Sequence, residues 1–267
     1  MLMRNLSASR LAVDPAAATQ RMESQTRRFL SYDLSSRFQP ILASGPNGFE
    51  TVAYKALLRV AMGGFEVSPP EFFATLEEGE RASADVFATE LHVRNFLRTA
   101  RAEDALVLRM EAASVRSQLF SEAELELRIA EAAKAGLDPR RMIVELDMGA
   151  ELDAGEFYAF AEILHRCGVR LALTGFNADH ASFNRIVQNR PEMVSFDRSW
   201  LDYGLADPRF RAMTVRVVSA VRELGPWTHF QRIEDGEELS FALSCGFTHL
   251  QGWHLARPET DCRSVTF

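Results

Sequence analysis

Apolar and polar positions along the chain follow two alternating patterns from residue 37 onwards. Segments in which apolar residues recur at helical spacing separate most of the later apolar runs, and they include residues 121–135, 154–167, 207–224 and 236–245. The apolar runs have the length of buried strands and occupy residues 38–43, 52–60, 105–110, 142–146, 169–173, 193–196, 227–230 and 248–250. Strands that are mostly separated by helices predict a (β/α)8 barrel.

The link between the first two runs argues against an open, doubly wound sheet. Such a sheet carries a glycine-rich phosphate-binding loop after its first strand. Here residues 45–48 read Gly-Pro-Asn-Gly and lead straight into the next apolar run. These residues are typical of a tight turn, so the sequence predicts a hairpin. The barrel is the expected fold, and the open sheet is the alternative.

The two ends of the chain differ from the segment between them. Residues 16–34 predict a helix with Arg27 and Arg28 on a polar flank and Phe29, Leu30 and Leu34 near its end. We expect an N-terminal helical segment over residues 1–34, a barrel over residues 35–260 and a tail over residues 261–267. The helix is expected to pack against the barrel, and contact with a partner is the alternative.

Composition excludes several classes of protein. The 267 residues include 30 Lys and Arg against 37 Asp and Glu, a formal net charge of −7, which argues against a binder of nucleic-acid polymers. No apolar run approaches the ~20 residues that span a bilayer, and residues 1–13 are too polar for a signal peptide. We therefore expect a cytoplasmic protein without membrane contact. The three cysteines and six histidines lack metal-ligand spacing.

Charged residues stand at the ends of the predicted strands, where barrel enzymes build their active sites. Lys55, Arg109, Glu145 and Asp197 occupy these ends. A site for divalent metal ions would place carboxylates and amides there, but two of these four residues are cationic. Arg109 is alternatively the ion-pair partner of Glu145 on a neighbouring strand. Asp197 is alternatively a cap for the helix that follows it.

An ordered set of short motifs resembles the EAL family of cyclic di-GMP phosphodiesterases. Residues 39–41 read QPI, 56–59 ALLR, 197–200 DRSW, 207–209 DPR, 251–253 QGW and 256–258 ARP. They follow the family's order and spacing, and the resemblance covers nearly the whole chain. It implies a modified barrel with one reversed strand, and it implies that a homodimer can form.

Most of the family's chemically active residues are replaced. The name-giving Glu-Ala-Leu reads Lys-Ala-Leu at residues 55–57, whereas Glu145 and Gln251 are kept and Glu234 matches a further acid. Arg109 replaces the family's metal-binding asparagine, and Thr174 and Gly175 replace its paired aspartates. Ser195 replaces the catalytic lysine, and Gln231 replaces a glutamate.

These departures predict a degenerate member that does not hydrolyse cyclic di-GMP. Two unit charges ~4 Å apart interact by about 4 kcal/mol at an effective dielectric constant near 20, so a lysine in place of a glutamate turns attraction for a metal ion into repulsion. Without metal ions, nothing lowers the pKa of the attacking water. We expect no cofactor, no catalytic residue and no metal site, with Glu145 as a vestige. Residual phosphodiesterase activity is the alternative.

Two hypotheses remain for a member without catalysis, and they are compatible. One is a regulatory module that binds an unidentified protein partner. The other is a receptor that binds cyclic di-GMP without hydrolysing it, with candidate contacts at Gln39, Lys55, Leu57, Arg59, Arg109, Asp197, Gln251, Arg257 and Pro258. An open cavity lined by Lys55 and Arg109 would favour the receptor. Internal pairing of these cations with Glu145 and Glu234 would favour the interaction module.

Overall fold

A computed structural model describes residues 25–46, 48–117, 121–149 and 152–265. Its strands are β1 Arg27–Phe29, β2 Tyr32–Gly45, β3 Gly48–Met62, β4 Phe65–Val67, β5 Ala105–Arg109, β6 Met142–Asp147, β7 Arg170–Phe176, β8 Met193–Phe196, β9 Trp227–Phe230 and β10 His249–Leu250. Its helices are α1 Pro69–Ala74, α2 Glu78–Thr99, α3 Ala112–Arg116, α4 Glu122–Lys134, α5 Ala154–Arg166, α6 His180–Asn189, α7 Ser199–Ala206, α8 Pro208–Glu223 and α9 Gly236–Cys245.

The strands close into a barrel in which one strand runs against the others. The order is β2-β10-β9-β8-β7-β6-β5-β3, and β3 pairs back onto β2. Strand β2 is antiparallel to both of its neighbours, whereas the remaining barrel pairs are parallel. The predicted barrel with one reversed strand is therefore confirmed. The predicted hairpin is confirmed as well, because Gly45 and Gly48 pair across it and Gly48 adopts a φ of 111°.

Alternating side chains divide the barrel's apolar residues into an inner and an outer layer. The inner layer, towards the amino ends of the parallel strands, includes Ile41, Ala53, Val107 and Ile143. The outer layer lies between the strands and the surrounding helices and forms the larger cluster. Successive residues of a strand point to opposite faces. Towards the carboxyl ends of the parallel strands, the inward-facing positions are therefore continued by polar residues.

The N-terminal prediction is wrong for the residues that the structure describes. Of the helix predicted over residues 16–34, residues 16–24 lie outside the described residues, and Arg27–Phe29 and the first residues of β2 are strands. The apolar spacing was misleading because Phe29 instead contacts Phe72 and Phe87 in a small cluster beside the barrel. Leu30 turns the chain between β1 and β2 with a φ of 51°.

The segment predicted as a tail is packed onto the barrel as far as it is described. The backbone N–H of Val265 donates to the hydroxyl of Thr51 at 2.9 Å, and that of Cys262 donates to Thr99 Oγ1 at 3.3 Å. The buried Cys262 belongs to the outer apolar layer. Across the described ranges, none of the helices combines the length and apolar character needed to cross a membrane.

Candidate functional site

The carboxyl ends of the parallel strands meet at one end of the barrel, which we call the mouth. In the register of the sheet, Lys55 on β3 lies between Gln39 on β2 and Val107 on β5. Glu145 and Ile143 lie two residues apart on β6 and therefore both face the inside of the barrel, with Glu145 closer to the mouth. The barrel therefore holds Lys55 and Glu145 on the same inward-facing surface.

Lys55 and Glu145 form a buried ion pair. The ammonium of Lys55 donates to Glu145 Oε1 at 2.7 Å and to Oε2 at 2.9 Å. The side chain of Lys55 is 9% exposed and that of Glu145 is fully buried. Both oxygens of the carboxylate are thus bound to one cation. Glu234, the other acid considered for this role, is exposed, and its backbone N–H binds Glu238.

One amide group and one hydroxyl group extend the ion-pair network across the mouth. Lys55 Nζ also lies 3.2 Å from Gln231 Oε1 on the residue after β9, and Gln231 Nε2 donates to Thr174 Oγ1 on β7 at 3.2 Å. An ammonium has three protons to donate. All three donors of Lys55 therefore have acceptors within the protein.

A serine and a histidine lie beside the ion pair in the barrel interior. Ser195 Oγ and His229 Nδ1 are 2.7 Å apart, and both residues are fully buried. Burial, together with repulsion from the charge on Lys55, holds the pKa of His229 well below its usual value, so the imidazole is neutral. Its Nε2 is buried and has no hydrogen-bond partner among the residues described.

Arg109 stands apart from this network. Its side chain is 53% exposed, and its Nε lies 3.2 Å from Glu111 Oε1. Arg109 and Glu145 are backbone neighbours in the sheet, but Lys55 takes the carboxylate of Glu145. The interpretation of Arg109 as the partner of Glu145 is therefore wrong, since adjacency in register does not fix which cation reaches a buried acid.

The two glutamines among the predicted ligand contacts are buried and tie the barrel together. Gln39 Nε2 donates to the carbonyl of Ala256 at 3.0 Å. Gln251 Nε2 donates to the carbonyl of Gln39 at 3.3 Å. These bonds join the reversed strand β2 to the chain that follows β10. A ligand would have to replace them in order to use either amide.

Arg59 lies further along β3, where it pairs with Ser35 of β2 just before the residues that pair with β4. Its Nη1 donates to Glu66 Oε1 at 2.6 Å, and both side chains are exposed. Leu57 precedes it on the same strand and is half-buried. Arg59 and Lys55 thus pair with different acids, although the two lie four residues apart on one strand.

Asp197 follows β8 and serves the start of α7. Its Oδ1 accepts the backbone N–H of Ser199 at 2.9 Å, and hydrogen bonds from the side chain and backbone of Ser199 lower the pKa of the carboxyl below its usual value. Asp197 thus binds the first backbone N–H of α7, as the capping interpretation expected, but the N-cap residue itself is Arg198. Asp197 also lines a polar cavity of about 290 Å³, together with Asp147, Met148, Gly149, Gly175, Asn177, Asp179, Ala181, Ser182 and Arg185.

The last two predicted contacts lie on the outer rim, after β10. The guanidinium of the exposed Arg257 lies 5.0 Å from the ring centre of Trp253, which is itself 58% exposed. Pro258 follows and is half-buried. Arg257 and Trp253 thus offer a cation and an aromatic face to solvent, and an aromatic face can stack on a base.

Comparison with known proteins identifies the family. The model of the EAL domain matches residues 22–258. The chain belongs to the EAL domain family. The uncharacterised EAL-domain protein YkuI of Bacillus subtilis is 21% identical over 157 residues, which cover 58% of this chain and 38% of YkuI. The chain thus matches well under half the length of that relative.

Solved EAL structures share the fold. The EAL domain of FimX from Pseudomonas aeruginosa bound to c-di-GMP superposes with a TM-score of 0.72 at 18% identity, covering 85% of this chain and 91% of that domain. The manganese and cyclic di-GMP complex of BlrP1 from Klebsiella pneumoniae gives 0.74 at 18% identity, covering 91% and 62%. The BlrP1 complex contains manganese, so the next question is whether the residues at the mouth of this barrel could bind a metal ion.

The arrangement at the mouth of this EAL domain does not fit a metal ion. Among the described residues, no cluster of three or more His, Cys, Asp or Glu side chains could hold one. Glu145 has both oxygens bound to the Lys55 ammonium. A divalent cation at this carboxylate would face a like charge a few ångströms away, with repulsion about twice that of two unit charges.

The EAL barrel brings only part of the predicted ligand set together. Gln39, Lys55 and Gln251 are buried at the mouth together with Glu145, whereas Arg59 and Arg109 pair with exposed glutamates and Arg257 is exposed. The sequence reasoning missed His229. Its signal was available, because His229 lies on β9 two residues before Gln231, and residues two apart along an extended chain point to the same side.

Proposed function

We propose that this EAL domain is a non-catalytic regulatory module in cyclic di-GMP signalling, which acts by binding a protein partner. The observation that carries the proposal is the Lys55–Glu145 pair, in which a cation of the protein occupies the carboxylate that a metal ion would need. The EAL structures bound to c-di-GMP supply the signalling context by similarity of fold.

The absence of hydrolysis follows from the charges at the mouth. A metal-bound water is the nucleophile that a barrel of this kind would generate at neutral pH. Lys55 and Arg109 stand where the family resemblance implies metal ligands, and Ser195 stands in place of the catalytic lysine. These replacements support a domain in which no residue at the family's catalytic positions activates water and which needs no cofactor.

Internal pairing favours a protein partner over the nucleotide. Lys55 is paired with Glu145, Arg59 with Glu66 and Arg109 with Glu111. A phosphate group would have to compete with a carboxylate at each of these cations. Of the pairings expected of an interaction module, that of Lys55 with Glu145 is present, whereas Arg109 pairs with the exposed Glu111 and not with Glu145 or Glu234.

Two assays test this proposal together. Wild-type protein is incubated with cyclic di-GMP and Mn²⁺ or Mg²⁺, and nucleotide products are followed by chromatography. Affinity capture is then performed from cells, with and without added nucleotide. We expect no turnover and a specific partner captured in both conditions. Metal-dependent turnover that Glu145→Gln abolishes would overturn the first part, and capture of no partner would overturn the second.

A nucleotide receptor is the second candidate, and the exposed Arg257–Trp253 pair favours it. Calorimetry with cyclic di-GMP in EDTA tests it directly. Binding that Arg257→Ala weakens and Arg263→Ala does not would support the receptor, because Arg263 is exposed but pairs with Asp261 and does not stack on Trp253. No heat at tens of micromolar protein would contradict it. A cytoplasmic location, no contact with membranes or nucleic-acid polymers, and a homodimer remain part of the proposal.

A further inference from the structure

A cavity lies outside the barrel, between α2, α4 and the outer face of β5 and β6. It encloses about 180 Å³. Its walls are mainly apolar and include Val93, Leu108, Ile129, Ala132 and Val144. Exposed residues such as Arg94 and Glu131 also line it, so the cavity reaches the surface between the two helices.

Such a cavity has room for one small molecule. An apolar cavity of about 150 Å³ stays free of water and holds benzene. The side chains around an empty cavity also lose dispersion contacts, so a ligand that fills it stabilises the folded chain. The size and walls of the present cavity therefore suit one aromatic ring or a short alkyl chain.

Two arginines and two glutamates line the cavity, namely Arg94, Arg128, Glu90 and Glu131. Arg128 Nη1 donates to Glu90 at 3.0 Å, but the Nε–H of Arg128 is buried without an acceptor among the described residues. Arg94, one turn along α2 from Glu90, makes no ion pair within the described part of the chain. A carboxylate on a ligand would face Arg94, and it would supply the acceptor that Arg128 lacks once the buried Nε–H of Arg128 turns towards the cavity.

We propose that the α2–α4 cavity binds a small carboxylic acid with an aromatic or short aliphatic body. The apolar part fills the cavity, and the carboxylate accepts from Arg128. This site is separate from the mouth. The two are connected through β6, because Val144 lines the cavity while its neighbour Glu145 points into the barrel. A ligand there would contact the strand that holds the buried ion pair.

Calorimetry with 3-phenylpropanoate tests the site, with toluene as the probe that lacks a carboxylate. We expect 3-phenylpropanoate to bind wild-type protein and Arg128→Lys to weaken it about tenfold or more, because lysine has no Nε–H fork. Failure of 3-phenylpropanoate to bind at millimolar concentration would overturn the proposal. Equal affinity for toluene, or no effect of Arg128→Lys, would overturn the assignment of a carboxylate.

A matched pair of substitutions on α4 tests the location. Ala132 is buried and lines the cavity, whereas Ala133 is exposed on the same helix. We expect Ala132→Leu to fill the cavity, abolish binding and keep or raise the Tm, and Ala133→Leu to leave binding unchanged. Unchanged binding in Ala132→Leu, or a Tm that falls well below that of Ala133→Leu, would show that the space is not there.

Discussion

Two buried sets of polar residues in this EAL domain are stabilised in different ways, one by paired charges and the other by hydrogen bonds between neutral groups. Inside the mouth, Lys55 and Glu145 are both charged, and each depends on the other. Outside the barrel, between β2 and α2, Ser36, His92 and Asn95 form a neutral network: Ser36 Oγ lies 2.8 Å from His92 Nδ1, and Asn95 Nδ2 donates to Ser36 at 3.1 Å.

The difference lies in what each group requires from its surroundings. A buried charge must have an opposite charge, whereas a buried histidine must stay neutral. Desolvation lowers the pKa of His92 to about 4, so it carries no charge near neutral pH. The mouth is therefore sensitive to the loss of one partner, and the outer network is sensitive to acid.

The largest effect is expected when one charge of the mouth is removed. Lys55→Met leaves Glu145 buried without a partner and should lower the free energy of unfolding by about 3–5 kcal/mol, as measured by urea denaturation. The double variant Lys55→Met with Glu145→Leu should recover most of this loss, because a buried ion pair is often replaceable by apolar residues. A double variant no more stable than the single one would contradict the account.

A smaller effect is expected from the neutral network. Asn95 also exchanges two hydrogen bonds with the backbone of Gln25, at 2.8 and 2.9 Å. Asn95→Ala should lower the free energy of unfolding by about 1–3 kcal/mol, because it leaves buried polar groups unpaired. The exposed neighbour Arg94 provides a control, since Arg94→Ala should change stability by less than about 0.5 kcal/mol. Equal effects of both variants would refute this distinction.

Acid should weaken the outer network in a defined pH range. Below pH 6.5 the unfolded chain protonates its histidines, but folded His92 and His249 stay neutral until about pH 4, because burial lowers their pKa values. The unfolded state thus binds more protons, and the free energy of unfolding falls as the pH drops from 6.5 to 4. His92→Gln should flatten this decrease in denaturation curves recorded across that range. An unchanged slope would count against the neutral histidine.

Asp85 should act in the opposite direction. Burial raises the pKa of Asp85 to about 6, against hydrogen bonds from Ser114 and the backbone of Glu111. Between pH 3.8 and 6 the folded state holds this proton and the unfolded state does not, so stability from Asp85 is lost as the pH rises. On acidification this gain from Asp85 offsets part of the loss caused by the buried histidines. In Asp85→Asn the free energy of unfolding should therefore fall more steeply as the pH decreases. A shallower fall would disprove it.

The smallest effect is expected at the exposed ion pairs. Arg59→Ala removes the pair with Glu66 and should lower the free energy of unfolding by less than about 1 kcal/mol. Salt screens such pairs, so even this effect should diminish in concentrated NaCl, whereas that of Lys55→Met should persist. A loss at Arg59 as large as that at Lys55 would remove the contrast between buried and exposed cations.

Sequence patterns predicted the barrel better than they predicted the pairing within it. Each apolar run became a strand, because burial on both faces produces the same run in any barrel. The strand Arg27–Phe29 was missed because its one apolar residue, Phe29, contacts Phe72 and Phe87, which are distant in sequence. The partner of Glu145 was misassigned to Arg109, because side-chain length and direction decide which cation reaches it.

Binding of Mn²⁺, followed by electron paramagnetic resonance in wild-type protein and in Glu145→Gln, tests the central claim most directly. We predict that the two proteins give the same spectrum of free Mn²⁺, because Lys55 already occupies both oxygens of Glu145. Stoichiometric Mn²⁺ binding by the wild type at micromolar concentration that Glu145→Gln abolishes would show that the mouth is a metal site, and it would contradict the account.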